Sequence, residues 1–204
     1  MSTRPTTRDR IVHAAMELFA DKGYGATSIA DILSRTQTNS GSLYHAFPGK
    51  QDLLLAVLDA YRTGIGPMLL EPAWGAVTDP IERIFALLAA YRGMLATTDC
   101  TYGCPIGSLA LELHEPDPPV RELLAANFQA WTAAVEANLA AARERLPASA
   151  DLPALAEFVL TVMEGGVMQA RTYRDLGYFD RAIAQLRHHF AGLAALAEKE
   201  AACA

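Results

Sequence analysis

TSIADILSRTQTNSGSLYHAFPGK, residues 27–50, reads as two short helices around a tight turn. Ile29, Ile32 and Leu33 give the first helix an apolar stripe, and Thr36 to Thr38 offers no apolar residue to continue it. Asn39 suits the N-cap of the second helix, because its side-chain oxygen accepts a backbone N–H that the first turn leaves unpaired. Pro48-Gly49 stops that helix. At about 100° per residue, Leu43 and Phe47 share one side and face a core. Gly41, Ser42, His45 and Ala46 fall on the opposite side, small, polar and neutral, with Tyr44 at the edge. A helix face with no task ordinarily carries Lys, Glu or Arg. Slim residues with hydrogen-bonding groups suit a helix that enters a DNA groove. A helical hairpin with an idle surface fits the same pattern, and periodicity leaves both readings open.

The rest of the chain is helical in pattern. Hydrophobic residues make up 51% of 204, Pro and Gly fall between periodic segments, and no alternating strand pattern occurs. That predicts an all-α fold of about nine helices. No stretch approaches the roughly 18 consecutive apolar residues of a spanning helix. The N-terminus lacks the apolar core of a signal peptide. Three cysteines, an odd count without an export signal, fit a reduced, cytoplasmic protein.

Charge is unevenly spread. Residues 1–50 hold six bases and four acids, +2, while residues 51–204 hold 11 bases and 19 acids, −8. A phosphate-binding head on an acidic body fits that split, as does an ordinary acidic protein with a local fluctuation.

Along the chain, a first helix capped at Thr7 runs to about Lys22, with Ile11, Ala14, Ala15, Leu18 and Phe19 on one stripe. Arg4, Arg8 and Arg10 at its start oppose the helix dipole, which favours an external anion beside them. Thr27 and Ser28 cap the next helix and leave hydroxyls at its start. A helix from Lys50 to about Gly64 carries Leu53, Leu54, Val57, Leu58 and Tyr61 as its stripe, and residues 65–78, broken by Gly and Pro, read as a connector in which Trp74 covers a core edge or lines a cavity. Asp79-Pro80 starts a helix bearing Tyr91 and Leu95. A turn at Tyr102-Gly103 leads to a short helix from Pro105. A long helix to about Arg145 places Val120, Leu124, Phe128, Trp131, Val135 and Leu139 on one face, with Asn127 a polar group that needs a partner. Asp151 caps a helix interrupted by Gly165-Gly166, which makes room either for a neighbouring helix or for a ligand. Asp180 caps the last helix, whose Ile183, Leu186, Phe190 and Leu193 recur near heptad spacing.

Residues 8–55 resemble the DNA-binding region of the TetR family of bacterial transcriptional regulators. The resemblance rests on Ile11, Ala14, Phe19, Gly23, Tyr24, Thr27-Ser28-Ile29, Gly41-Ser42-Leu43-Tyr44-His45, Phe47, Lys50 and Leu53-Leu54. Gly-Cys-Pro-Ile-Gly-Ser-Leu-Ala, from Gly103, resembles one branch whose bodies bind small molecules. There are two departures. Thr36-Gln37-Thr38-Asn39 stands where that family usually has Ala-Gly-Val-Ser, so Gln37 would need an unusual backbone. Ser40 stands where a Lys is common.

The resemblance implies a helix-turn-helix head, residues 1–48, and a ligand-binding and dimerisation body, residues 49–204. Residues 39–47 would enter a major groove, with Asn39, Ser40, Gly41, Ser42 and His45 against bases or adjacent phosphates. Thr27, Ser28, Tyr44 and Lys50 would hold phosphates. A small effector would lie among Tyr91, Met94, Cys104, Asn127, Phe128, Trp131, Met163 and Met168. The partners implied are an operator DNA, that effector and a second copy joined through the last two long helices, with no membrane. The expected function is a repressor released by its effector.

Two alternatives stand beside it. Cys104 precedes a helix N-terminus, which favours a thiolate and an electrophile or oxidant sensor. An enzyme of unassigned type is the remoter one, since no nucleophile elbow, phosphate loop, GxGxxG or HExxH occurs. Cys100, Cys104 and His114 form only a weak metal pattern, so no metal or cofactor is expected.

Overall fold

The computed structural model describes residues 5–203, and Arg4 lies outside them. The described residues form α1 (Thr7–Lys22), α2 (Ile29–Thr36), α3 (Ser40–Ala46), α4 (Lys50–Ile65), α5 (Glu71–Trp74), α6 (Pro80–Thr97), α7 (Pro105–Glu112), α8 (Pro118–Ala141), α9 (Leu152–Tyr173) and α10 (Gly177–Cys203). Among them nine helices run seven residues or more, as the apolar periodicity predicts, and α5 is a single turn. They divide into two compact units. One is built from the N-terminal segment through Gly64 together with Pro105–Phe128, and the other from Ile65–Cys104 and Gln129 to the C-terminus.

In the first unit α1 packs against α2, α3 and α7. Ile11, Ala15, Leu18, Phe19, Ile32, Leu43, Phe47, Leu53, Leu54, Val57 and Leu58 are all buried. Leu43 and Phe47 thus hold α3 from beneath, the i, i+4 pair that the periodicity predicts. The cap of α1 is Thr6 rather than Thr7. Its hydroxyl accepts the Asp9 amide while Asp9 accepts the Thr6 amide, a reciprocal capping box.

Gln37 ends α2 in the left-handed region, φ 52° and ψ 39°, and its amide bonds the Leu33 carbonyl. A non-glycine residue there carries about 1–2 kcal/mol of strain. Glycine would remove that strain but lose more chain entropy on folding. Gln37→Gly is expected to raise the melting temperature by about 2 °C, since about 1 kcal/mol moves a chain of this size by about 2–4 °C. A lowered melting temperature in scanning calorimetry would contradict this reading of the turn.

The second unit departs from expectation in four places. Residues 65–78 are not an irregular connector. Pro67 has no N–H to donate to the preceding turn, and the chain widens into a π-helix, Gly66–Leu70, closed by the Glu71 amide on the Gly66 carbonyl. The helical run Lys50–Trp74 that results has a window of mean hydropathy 1.4 and is the one described helix long and apolar enough to cross a membrane. In this fold its N-terminal half is instead core, with Leu53, Leu54, Val57 and Leu58 all buried. Trp74 covers an edge of α6, its indole N–H donating 2.8 Å to the Arg83 carbonyl.

The turn after α6 closes earlier than Tyr102-Gly103, with the Cys100 amide on the Leu95 carbonyl at 2.8 Å. The long helix α8 stops at Ala141, and a 3-10 turn, Arg143–Arg145, follows. Finally, α10 starts at Gly177. Asp180 sits in its first turn and pairs with Arg92 at 2.6 Å instead of capping. Gly166 admits α10 closely, since a Cβ there would meet Phe179 at 3.0 Å, whereas one on Gly165 meets nothing within 4 Å.

Candidate functional site

The outward face of α3 is built by its cap and its core contacts. Asn39 Oδ1 accepts the Ser42 amide at 2.8 Å, which orients the first turn. With Leu43 and Phe47 buried beneath, Ser40, Gly41, Tyr44 and His45 are exposed and Ser42 is half-buried. A Cβ on Gly41 would meet only Asn39 Oδ1, at 3.4 Å. The protein therefore does not itself require glycine there. Ser28, at the start of α2, is exposed and closes a second capping box with Asp31. Its hydroxyl and amide bonds, aided by Lys22, hold the Asp31 carboxyl at about 2.

Two residues expected at phosphates are placed otherwise. Thr27 is 1% exposed, and its hydroxyl is engaged by the carbonyls of Gly23 at 2.7 Å and Leu18 at 3.2 Å. It pins the chain between α1 and α2 and has no free face. The Lys50 ammonium donates to the Tyr24 carbonyl and lies 4.2 Å from the Tyr24 ring centre. Burial lowers its pKa, against the opposing pull of Glu112.

Among the described residues, most other cations of this segment are also engaged. Arg8 lies over the Phe47 ring at 5.0 Å, Lys22 pairs with Asp31 at 3.3 Å, and Arg35 pairs with Glu17 at 2.8 Å. Few charges are thus available to replace counterions, each worth about −0.9 in the slope of log K against log salt. Fluorescence titrations of a two-headed DNA complex should give a slope of about −4 or shallower. One near about −10 would show that these pairs open on DNA.

A contact that the sequence does not signal lies behind this face. Glu112, the last residue of α7, accepts the Tyr24 amide at 2.9 Å and the Gly25 amide at 2.6 Å. It fastens the α1–α2 turn across 87 residues of chain. Gly23 enters that turn at φ 86° and ψ 161°, backbone open essentially to glycine alone, and its missing Cβ leaves room for the Glu112 carboxylate.

The residues expected to line an effector site do not all meet. In the second unit Tyr91 of α6, Cys104, Trp131 of α8 and Glu164 of α9 converge. Burial first, then Cys104 and Glu164, push the Tyr91 hydroxyl well up. Burial also raises the Glu164 carboxyl, against a hydrogen bond from Cys104. Trp131 is 4% exposed. Its N–H lies near enough to Tyr91 to favour the phenolate, but falls short of a well-formed hydrogen bond. Trp131 Nε1 and Glu164 Oε1 are both sealed from solvent and unpaired. Met163 is fully buried, whereas Met94 and Met168 are exposed.

Asn127, also expected to meet the effector, belongs to the first unit and spends its amide on the carbonyls of Leu58 at 2.9 Å and Leu123 at 2.8 Å. Phe128, in the same unit, is half-buried. Glu164 is the residue that periodicity passes over. The signal was nonetheless present, an acid in the run FVLTVMEGGVM with no Lys or Arg three or four residues away.

Next to this cluster in sequence, the loop before α7 is strained. Asp99 and Cys100 have φ of 47° and 55°, and Arg174, which ends α9, has φ of 51°. Arg174 donates to the Cys100 carbonyl at 2.8 Å and Arg171 to that of Thr101 at 3.2 Å. Asp99, Cys100 and Arg174 border a cleft of about 610 Å³ lined also by Leu95, Thr101 and Leu176. Among the described residues no group of three or more His, Cys, Asp or Glu gathers to hold a metal ion.

A three-helix head whose second and third helices meet at a tight turn, with a slim exposed face on the third, defines a helix-turn-helix DNA-binding protein. Comparison with known proteins agrees. Residues 11–57 match the family model of bacterial regulatory proteins of the tetR family, and residues 80–186 match the tetracyclin repressor-like C-terminal domain. An uncharacterised HTH-type transcriptional regulator of Bacillus subtilis, YxaF, is 30% identical over 176 residues, 86% of this chain and 90% of the relative. Another from Mycobacterium tuberculosis, Rv0196, is 32% identical over 191 residues, 89% and 92% of the two chains. The crystal structure of regulatory protein TetR from Rhodobacter sphaeroides superposes with a TM-score of 0.80 at 25% identity, covering 90% of this chain and 98% of that one. The chain belongs to the TetR family of helix-turn-helix transcriptional regulators.

Proposed function

We propose that the protein is a cytoplasmic, homodimeric repressor that releases a near-palindromic operator when a small effector binds its body. The observation that carries the DNA half is the exposed face of α3, where Gly41 is free of any internal steric demand. Ser40, Ser42 and His45 contact bases or adjacent phosphates, and Ser28 and Tyr44 hold the backbone. Lys50 and Thr27 keep the head rigid. Within this reading the head is residues 1–48 and the body residues 49–204.

The effector shifts the helix that begins at Lys50 and changes the spacing of the two heads. It must bind the wide-spaced state better, because a ligand indifferent to the two states moves nothing. Glu112 adds a second route, since α7 follows Cys104 directly in the chain and ends on the α1–α2 turn. A gel shift on the DNA flanking the coding region tests the whole reading. Retarded DNA should be freed by the effector, and a ligand that saturates the body without altering operator affinity would sink it.

Dimerisation uses α9 and α10, which pack on each other and leave Phe158 and Leu196 exposed. Phe158 stacks edge-on against His189 at 5.5 Å beside a groove lined by Leu155 and Leu193. Phe158→Glu places a charge there in both copies and should weaken the dimer by at least about 100-fold. Sedimentation at micromolar concentration should then show monomer, and an unchanged dimer would place the interface elsewhere. A cysteine sensor acting through Cys104 has less support. The thiol is 5% exposed, closed to a reagent arriving from solvent.

A further inference from the structure

Buried polar atoms are almost always paired, because leaving one unpaired forfeits its hydration with nothing in return. Trp131 Nε1 and Glu164 Oε1 break that rule together, around the same Tyr91 hydroxyl. They come from two different helices, α8 and α9, so no local turn explains them. The indole offers a donor and nothing else. The carboxyl oxygen seeks a donor when ionised.

We propose that Trp131 and Glu164 are the polar anchor of the effector site, and that they select an uncharged ligand carrying a hydrogen-bond donor beside an acceptor, such as an alcohol, a phenol or a primary amide. The inference rests on the effector reading above. A carboxylate ligand brings only acceptors and places a second negative charge beside Glu164. An ammonium satisfies Glu164 but has no acceptor for the indole N–H. A hydroxyl or a primary amide serves both atoms at once. Tyr91 and Met163, the neighbour of Glu164 in the chain, are both buried, so a ligand that reaches these atoms meets apolar surroundings.

The test uses the full chain without DNA and five probes of one shape: toluene, benzyl alcohol, benzamide, benzylamine and benzoate. Binding is read at pH 7 from the nitrogen-15 resonances of the indole N–H groups. The chain has two tryptophans, and the signal missing from Trp131→Phe identifies the one at issue. Benzyl alcohol and benzamide should shift that signal and bind at least about tenfold tighter than benzoate or benzylamine. Glu164→Gln, which keeps the shape and removes the acid, should bring benzoate within about threefold of benzyl alcohol. Trp131→Phe, which lacks that indole and is therefore titrated by calorimetry, should erase the advantage of the alcohol over toluene.

Benzoate or benzylamine binding as tightly as the alcohol, no probe binding, or a ranking unmoved by both variants would each overturn the assignment. Circular dichroism of the variants separates these outcomes from misfolding. A neutral binder that leaves operator affinity unchanged would defeat the release reading and leave this one standing. An anion that binds here and frees the operator would do the reverse.

Discussion

Gly41→Glu will keep its melting temperature and lose operator binding by at least about 100-fold. The first half follows from space, since a Cβ at this position meets only Asn39 Oδ1, at 3.4 Å. Helix propensity also favours Glu over Gly by up to about 1 kcal/mol in a helix interior. The second half follows from the groove. A bulky anion there meets base edges and phosphates at closest approach, and a wrong contact in one half-site costs about 1–3 kcal/mol. A two-headed regulator suffers it twice, about 2–6 kcal/mol in all, and roughly 100-fold, about 2.7 kcal/mol, lies near the low end of that range. Fluorescence anisotropy and calorimetry on the same preparation check both halves. A variant that binds its operator normally would remove α3 from the groove.

The second large effect is at Gly23. Its φ of 86° and ψ of 161° are strained for any L side chain, and a Cβ would sit 2.9 Å from Glu112 Oε2. Gly23→Ala should cost about 1–3 kcal/mol through the backbone alone. It should also push Glu112 off the amides of Tyr24 and Gly25, two charge-assisted hydrogen bonds. Glu112→Ala removes those bonds without the strain. The two changes share partners, so the double variant should be less destabilised than the sum of the singles by at least about 0.5 kcal/mol. Urea titrations of the four chains measure this. Strict additivity would mean that Glu112 and the turn act independently.

The fold was legible because its signals are local. The stripe of α1, the Leu43–Phe47 pair and the caps Asn39, Asp79 and Asp151 all act within one or two turns of chain, and each appears where periodicity and capping place it. Element ends were less so. Asp180 has the chemistry of a cap, but Arg92 on α6 competes for its carboxylate, a partner 88 residues away. Gly66-Pro67 reads as a break, yet a helix can absorb a missing N–H by widening for one turn.

The same division runs through the site. The slim face of α3 follows from neighbours in sequence, and the left-handed residue at Gln37 from the family resemblance, whose usual turn has Gly there. The roles of Thr27 and Lys50 do not. A hydroxyl before a helix and a lysine after one look alike whether they face phosphate or a carbonyl of their own chain, and only the fold brings Gly23 and Tyr24 to them. Glu112 shows no sequence signal for its span. Glu164 had one, an acid with no nearby base in an apolar run, but its meaning depends on Trp131 of another helix.

The central claim is that two copies of α3 read one operator. A hydroxyl-radical footprint on the DNA flanking the coding region tests it most directly. The account predicts protection in two patches on one face of the duplex, centred a whole number of helical turns apart, each turn about 34–36 Å. Gly41→Glu should abolish both together. Protection spread evenly along the fragment, or two patches that persist in Gly41→Glu, would contradict it.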